Sequence, residues 1–448
     1  MLTNRQEGNL MRKQISVWMC LFLVMAAVLT GCGKLEEAAS DPGDTAGGIA
    51  PGTEITLMNI KTEVNDQILA LAAAYEAETG VKVNVVVAGN TIDGQALLKG
   101  YYLSNQMPDI IACEAAGFSN WEGLLVDMSD QAWASKTSAA YIDEKYGTIG
   151  FPYTTEAIGL AYNADILQKC GVDPASITGP DSLRAAIDTV AAHKDELGLT
   201  CVVDICVEPE GVGWSPGNHL FGVYLDSGLA RDDTTYIDSV SETHKVDESR
   251  FMNYANMISM FFQNADPNLL VAGTYDEQVG TFASGKAAFI TQGSWIGASL
   301  SSSDDYKNAG SFEVGMAPYA FEDGMNTILT SAPSWWAIPK EANVEAAEAF
   351  LQWCSEDAGQ KILVEDAGFV SPFIDCKYVA ADPFAPVLSN YVAEGRTSDW
   401  HWMQLPSGIG SNPGGLCYCY YRYATGEEDA AGFMNDINET LAAWYAKQ

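Results

Sequence analysis

From Thr53 onward the chain alternates between a two-residue and a 3.6-residue hydrophobic period, and this limits its fold more than any other feature. EITLMNI (54–60) has the pattern of a strand. VNDQILALAAAYEAETG (64–80) sets Ile68, Leu71, Ala72 and Tyr75 on one helical face and stops at Gly80. VKVNVVVAG (81–89) is a strand again, DGQALLKGYYLSN (93–105) a helix, and MPDIIAC (107–113) a buried strand after Pro108. Strands and helices in turn require helices layered on a largely parallel sheet, which is the α/β class. The middle of the chain is more helical, with DSLRAAIDTVAAHKDELG (181–198) and SRFMNYANMISMFFQN (249–264). Residues 341–366 form a long helical pattern with Gly359 as a breaker inside it, and a last helix is predicted over 427–447.

The 448 residues are enough for two or three domains, but the N-terminus is not part of any core. Arg12 and Lys13 precede VWMCLFLVMAAVLT, which closes on Gly31-Cys32. The run is shorter than the roughly 20 residues of a spanning helix, so it reads as a secretory signal. Leu29-Thr30-Gly31-Cys32 also resembles a bacterial lipoprotein signal, in which the cysteine, here Cys32, is lipidated. An ordinary signal or a single membrane anchor is the plainer alternative. GKLEEAASDPGDTAGGIAPG then reads as a disordered tether. The expectation is a soluble body outside the cell, held at the membrane only through lipid.

Charge narrows the partners. The formal net charge is −36, and residues 1–31 carry Arg5, Glu7, Arg12 and Lys13, a net of +2, so the mature chain stands at −38. Such a charge argues against nucleic acid and against docking on anionic lipid. Eight cysteines remain after Cys20 and Cys32: Cys113, Cys170, Cys201, Cys206, Cys354, Cys376, Cys417 and Cys419. Their spacing lacks the paired C-x2-C of a metal site, so no cofactor or metal is expected. They read as small buried hydrophobes in strands, with disulfides left open.

GTFASGK (280–286) imitates a phosphate loop. That loop needs a strand before it, a helix after it and a Ser or Thr beyond the lysine. Here a helical pattern precedes, a strand pattern follows, and Ala287 stands in the hydroxyl position. Nucleotide binding is therefore not expected.

Five stretches together resemble the extracellular solute-binding proteins of ABC importers, in the carbohydrate-binding group that includes maltodextrin-binding proteins. They are LAAAYEAETGVKVNV, MPDIIAC with GLLVDM, YGTIGFPYTTEAIGLAYNADIL, FASGKAAFITQGSW, and WWAIPKEANVEAAEAFLQWCSEDAGQ followed by GFVSPF. They fall in the family's order and cover nearly all of 53–448. The resemblance implies a two-lobed, periplasmic-binding-protein-like α/β fold of type II. It places the signal at 1–31 and the tether at 32–52. The N-terminal lobe would take 53–156 and 328–371, and the C-terminal lobe 157–327 and 372–448. Strands would cross between lobes near Thr155–Ala157, Thr327–Thr330 and Phe369–Pro372. Lys286 would begin a strand at a surface edge, and that strand would deliver Trp295 to the cleft. A monomer that hands its ligand to ABC permease subunits is implied.

A sugar offers apolar C–H faces to aromatic rings and hydroxyls to carboxylates and amides. The resemblance implies that Trp295 stacks on sugar, against a plain reading as a core tryptophan. Glu156 falls where related proteins place a ligand-contacting carboxylate, against a hinge salt bridge. Trp214, Glu208 and Glu210, in CVEPEGVGWSPGN, resemble the second lobe's aromatic and carboxylate contribution. Trp335 and Trp336 are adjacent, so on a strand they face opposite ways, and Trp336 is the better placed for the cleft. Tyr153, Asn412, Glu114 and Glu63 complete the set; for Glu63 and Glu114, which follow strands of the N-terminal lobe, a solvated loop charge is the more common reading. Cys113 stands where some maltodextrin binders carry a stacking tryptophan, which argues against a long oligosaccharide and against maltodextrin specifically. Two rival functions stay open. One is the same fold holding a polyamine or other cation. The other is a surface glycoside hydrolase, although no G-x-S-x-G or H-E-x-x-H motif is present.

Overall fold

The computed structural model describes residues 49–89 and 94–447. The signal, Cys32 and nearly all of the tether lie outside the described residues. Thirteen strands are present among those described. In chain order they are β1 (Glu54–Asn59), β2 (Lys82–Val87), β3 (Ile111–Cys113), β4 (Tyr141–Asp143), β5 (Gly147–Pro152), β6 (Glu156–Ile158) and β7 (Leu160–Asn163). There follow β8 (Cys201–Asp204), β9 (Ala287–Ile290), β10 (Val314–Ala317), β11 (Ile328–Ser331), β12 (Trp335–Ala337) and β13 (Thr397–Ser398).

β1 and β2 pair in parallel, with Glu54 opposite Lys82, and helix Asn65–Thr79 crosses between them. That helix buries Ile68, Leu71, Ala72 and Tyr75, the face its periodicity marks, and ends on Gly80 at φ 76°. A parallel bridge between Leu57 and Ile110 sets β3 beside β1, and β3, β12, β5 and β4 continue as an antiparallel series. A second sheet has the order β10-β7-β9-β8, with β8 and β9 parallel. Between the two lies a small sheet, β13-β11-β6, beside which Thr155 bridges Val370. The three stretches expected to cross between lobes thus meet at one place. Two-residue pairing of β13 with β11 adds a fourth segment there that sequence reasoning did not foresee.

Three local readings change. The 341–366 run forms helices Val344–Cys354 and Asp357–Lys361, broken at Ser355-Glu356 rather than at Gly359. Gly359 serves close packing instead: a Cβ there would lie 2.5 Å from Cys354 Cα. All eight described cysteines are free thiols, six of them buried, but only Cys113 and Cys201 sit in strands. Cys354, Cys417 and Cys419 pack from helices. Third, β9 is an inner strand between β7 and β8, so Lys286 does not begin a sheet edge. It is exposed at the start of β9 and donates to the Gly198 carbonyl at 3.2 Å. Helix Tyr275–Ala283 precedes Gly285, whose φ is 66°, and a strand follows, the reverse of a phosphate loop.

Candidate functional site

Several elements end around one cavity of about 600 Å³. One wall comes from β1, β3 and helix Gly94–Leu103. Beyond β1, buried Asn59 shapes the loop: its Oδ1 accepts the Lys61 N–H at 2.9 Å and its Nδ2 donates to the Lys61 carbonyl at 3.0 Å. This directs Lys61 into the cavity, where its ammonium pairs with Glu156 of β6 and lies 3.7 Å from Glu63. Burial pulls the Lys61 pKa down, but attraction from Glu156 and then Glu63 outweighs it, so the net shift is upward and the ammonium stays charged. The Glu156 carboxyl is pushed up by burial and held back by Lys61. Glu114, at the end of β3, and Gln95, Lys99 and Asn120 also line this wall. Gln95 is set by the Trp121 indole N–H, which donates to its Oε1 at 2.9 Å.

The other wall is aromatic. β9 ends at Ile290, five residues before Trp295, so Trp295 does not end the strand but opens helix Ile296–Ser302. Its indole N–H donates to Gln292 Oε1 at 3.1 Å, and Gln292 Nε2 donates to Gln278 Oε1 at 2.8 Å within a buried amide pair. Gly293 is required because a Cβ there would collide with the Trp295 ring. Ser294 Oγ accepts the Ala157 N–H at 2.9 Å, which fastens this turn to β6. The Trp295 ring is half-buried. Trp214 meets it at 6.0 Å, centroid to centroid, and Tyr275 flanks Trp214 at 5.8 Å.

Trp400 and Trp402 complete the wall from a turn that follows β13. Between them His401 faces inward: its Nδ1 lies 2.6 Å from Asp226 Oδ1, and its N–H donates to Asp226 Oδ2 at 3.0 Å. Burial lifts the Asp226 carboxyl to about 6 against the opposing pull of His401, and the hydrogen bond that the imidazole donates to Asp226 lifts His401. This buried pair anchors the turn that presents both indoles. His219 sits among the rings, 4.8 Å from Trp295.

The cavity therefore gathers Trp295, Glu156, Trp214, Glu210, Asn412, Glu114 and Glu63 of the residues singled out from sequence. Three others lie elsewhere. Trp336 is buried in the core between Phe151, Tyr153 and Phe350, and Trp335, on the opposite face, packs on Phe118 and Tyr141. Both faces of β12 are covered, so alternation sends neither ring to the cleft. Tyr153 stacks on Trp336 at 4.6 Å and its hydroxyl bonds Ser334, which makes it core as well. Glu208 braces its own loop: Oε2 accepts the Gly211 N–H at 2.6 Å and Oε1 the Glu210 N–H at 3.0 Å. Sequence reasoning missed Lys61, Gln95, His219, Tyr275, Trp400 and Trp402. The W-H-W spacing at 400–402 was the available signal, with two indoles set two residues apart.

Aromatic faces opposite carboxylates, amides and an ammonium can hold a polyhydroxylated ring on both its C–H faces and its hydroxyls. Among the described residues no three His, Cys, Asp or Glu side chains form a group suited to a metal. A family model for bacterial extracellular solute-binding proteins matches residues 70–384. The chain belongs to this family. A relative, the melibiose/raffinose/stachyose-binding protein MelE of Bacillus subtilis (strain 168), is 25% identical over 182 residues, 39% of this chain. The match likewise spans 39% of MelE's own length. Among solved structures, a sugar transporter protein from Bacillus licheniformis in complex with stachyose aligns with a TM-score of 0.67 at 16% identity, covering 88% of this chain and all of that one. A chitin oligosaccharide binding protein aligns at 0.72 and 14%, covering 89% and 100%. The solute-binding protein RafE in complex with raffinose aligns at 0.65 and 18%, covering 88% and 100%. At these identities the likeness establishes the fold: this solute-binding protein has the two-lobed, periplasmic-binding-protein-like architecture.

Proposed function

We propose that this solute-binding protein captures a sugar or short oligosaccharide between its lobes and delivers it to the permease of an ABC importer, without catalysis or cofactor. The observation that carries the reading is the cavity itself, with one aromatic wall, one polar wall, and Glu156 of the small β13-β11-β6 sheet in its lining. Relatives named for melibiose, raffinose, stachyose and chitin oligosaccharides support the ligand class. The lobe divisions at 156/157, 327/328 and 371/372 fit a hinge at that sheet. In this reading Trp295 and Trp214 stack on the ligand, Glu63, Glu114, Glu210 and Asn412 take hydroxyls, and Glu156 acts through its pairing with Lys61. The body works as a monomer outside the cell, anchored by lipid on Cys32. Cys32→Ser should release it to the medium or leave it unprocessed; a mutant that stays in the membrane at mature size contradicts the anchor.

The test is a thermal-shift screen of the body against raffinose, stachyose, chitotriose, maltotriose and spermidine. A ligand at 100 times its Kd adds about 2.7 kcal/mol. A shift with at least one sugar, none with spermidine, and intact sugar recovered afterwards is expected. A shift with spermidine alone, or cleavage of the sugar, contradicts the proposal.

A further inference from the structure

Three cavity-lining residues hold polar atoms with no hydrogen-bond partner: His219 at Nδ1, Trp400 at Nε1 and Trp402 at Nε1. All three atoms are buried, and the residues touch one another. The His219 ring lies 5.8 Å from Trp400 and 5.5 Å from Trp402, and the two indoles lie 6.2 Å apart. Buried donors and acceptors left unmade are costly and uncommon, so three at one cavity wall call for an explanation. The fold itself gives none. The His401–Asp226 pair already fixes the turn that bears the indoles, and among the described residues His219 Nδ1 ties no element to another.

The backbone beneath His219 is also unusual. Ser215–Leu220 forms a π turn before helix Phe221–Asp226, and such turns concentrate at functional sites because they displace a side chain from the regular helical position. Two glycines permit it here, since a Cβ on Gly217 would strike the backbone of Gly410. The irregular turn and the unmade hydrogen bonds are independent observations, and both point to the same imidazole.

We infer that His219, flanked by the Trp400 and Trp402 indole N–H groups, is the specificity-determining hydrogen-bonding group of the aromatic wall, engaging a hydroxyl of a bound sugar. This rests on the sugar reading of the cavity. Burial, and then the nearby Lys61 charge, depress the imidazole pKa to about 3, so the ring is neutral at physiological pH and offers one donor and one acceptor. Because all three atoms are buried among packed rings, those rings must turn for a ligand to reach them.

The experiment uses His219→Phe, which keeps a ring and removes both nitrogens, and His219→Gln, which keeps polar groups. Unliganded melting and calorimetric affinity are measured with whichever of raffinose, stachyose, chitotriose and maltotriose the wild type binds most tightly. A lost hydrogen bond predicts about tenfold weaker binding for His219→Phe, with melting equal to or above wild type, and most of the affinity restored in His219→Gln. Wild-type affinity in His219→Phe overturns the inference. So does equal loss in both variants, which would assign the effect to ring packing, or lowered melting with affinity kept in the folded fraction. A wild type that binds none of the four sugars fails before any variant is made, and that outcome overturns the sugar reading and this inference with it.

Discussion

The two walls of the cavity use their aromatic residues in opposite ways. On the wall built from β1, β3 and helix Gly94–Leu103, the nearby tryptophans are sealed away: Trp121, Trp335 and Trp336 are all buried in core clusters. What reaches the cavity there is Lys61, Glu63, Gln95, Lys99, Glu114 and Asn120. On the facing wall the rings come forward, with Trp214, Trp295, Trp400, Trp402 and Tyr275 lining the same space. The contrast has a local cause. Trp335 and Trp336 belong to a strand covered on both faces, where side-chain alternation can only choose between two cores. Trp295 and Trp214 sit where regular structure stops, at the start of a helix and before a π turn. Trp400 and Trp402 flank an inward His401. On β12 the rings are spent on the core, and where the helix from Ile296 and the π turn from Ser215 begin, Trp295 and Trp214 line the cavity.

The largest effect that separates the walls is on stability. Trp336→Ala should cost about 3–5 kcal/mol of folding free energy, the range for a buried aromatic truncated in a core. Denaturant unfolding measures it. A loss under about 1 kcal/mol would mean that Trp336 is not a core residue, and the contrast between the walls would collapse.

A second effect tests the base where the walls meet. Asp382 lines a small recess there with Glu156 and Trp295. Burial, set against hydrogen bonds from the Phe384 and Ala385 N–H groups and helped by Glu156, lifts its carboxyl from 3.8 to about 7. A folded-state pKa raised above the unfolded value stabilises the protonated form. Its contribution is therefore complete below pH 3.8 and is lost as pH climbs toward about 7. Asp382→Asn, which keeps an oxygen for the Phe384 N–H, should gain stability over wild type across that window. The gain should level off near pH 8 at no more than about 4 kcal/mol. Unfolding curves at pH 4.5 and pH 8 decide it; a gap that does not widen with pH contradicts the assignment.

The smallest effect is a null. Lys286 does not line the cavity; it is exposed, and its ammonium donates to the Gly198 carbonyl at 3.2 Å. Lys286→Ala should leave sugar affinity and melting unchanged, and ATP binding that vanishes in this variant would revive the phosphate-loop reading.

These contrasts also explain which parts of the molecule were legible in the sequence. The alternation from Thr53 to Cys113 gave the α/β layers because each helix buries one stripe and each strand follows its own period. Trp295 and Trp214 could be placed through motif resemblance, since both stand beside glycine-rich turns that end regular elements. Trp336 and Tyr153 misled because an aromatic pair next to a crossing strand looks the same whether or not a second layer covers it. Glu208 and Glu210 are two residues apart in one turn, and only the backbone reveals that the first is consumed by two N–H groups. Lys61 was invisible because its partner Glu156 is 95 residues away. His219 was hidden for a similar reason: the rings around it come from positions 214, 295, 400 and 402, which only the fold brings together.

The central claim is that the aromatic wall binds the ligand and the buried aromatics do not, and Trp295→Ala tests it most directly. Its unliganded melting temperature and its affinity for the sugar that shifts the wild type should be measured on the same preparation. Melting close to wild type with affinity weakened by about 2 kcal/mol or more, some thirtyfold in Kd, is predicted. A large fall in melting with wild-type affinity in the folded fraction would make Trp295 a core residue and contradict the account.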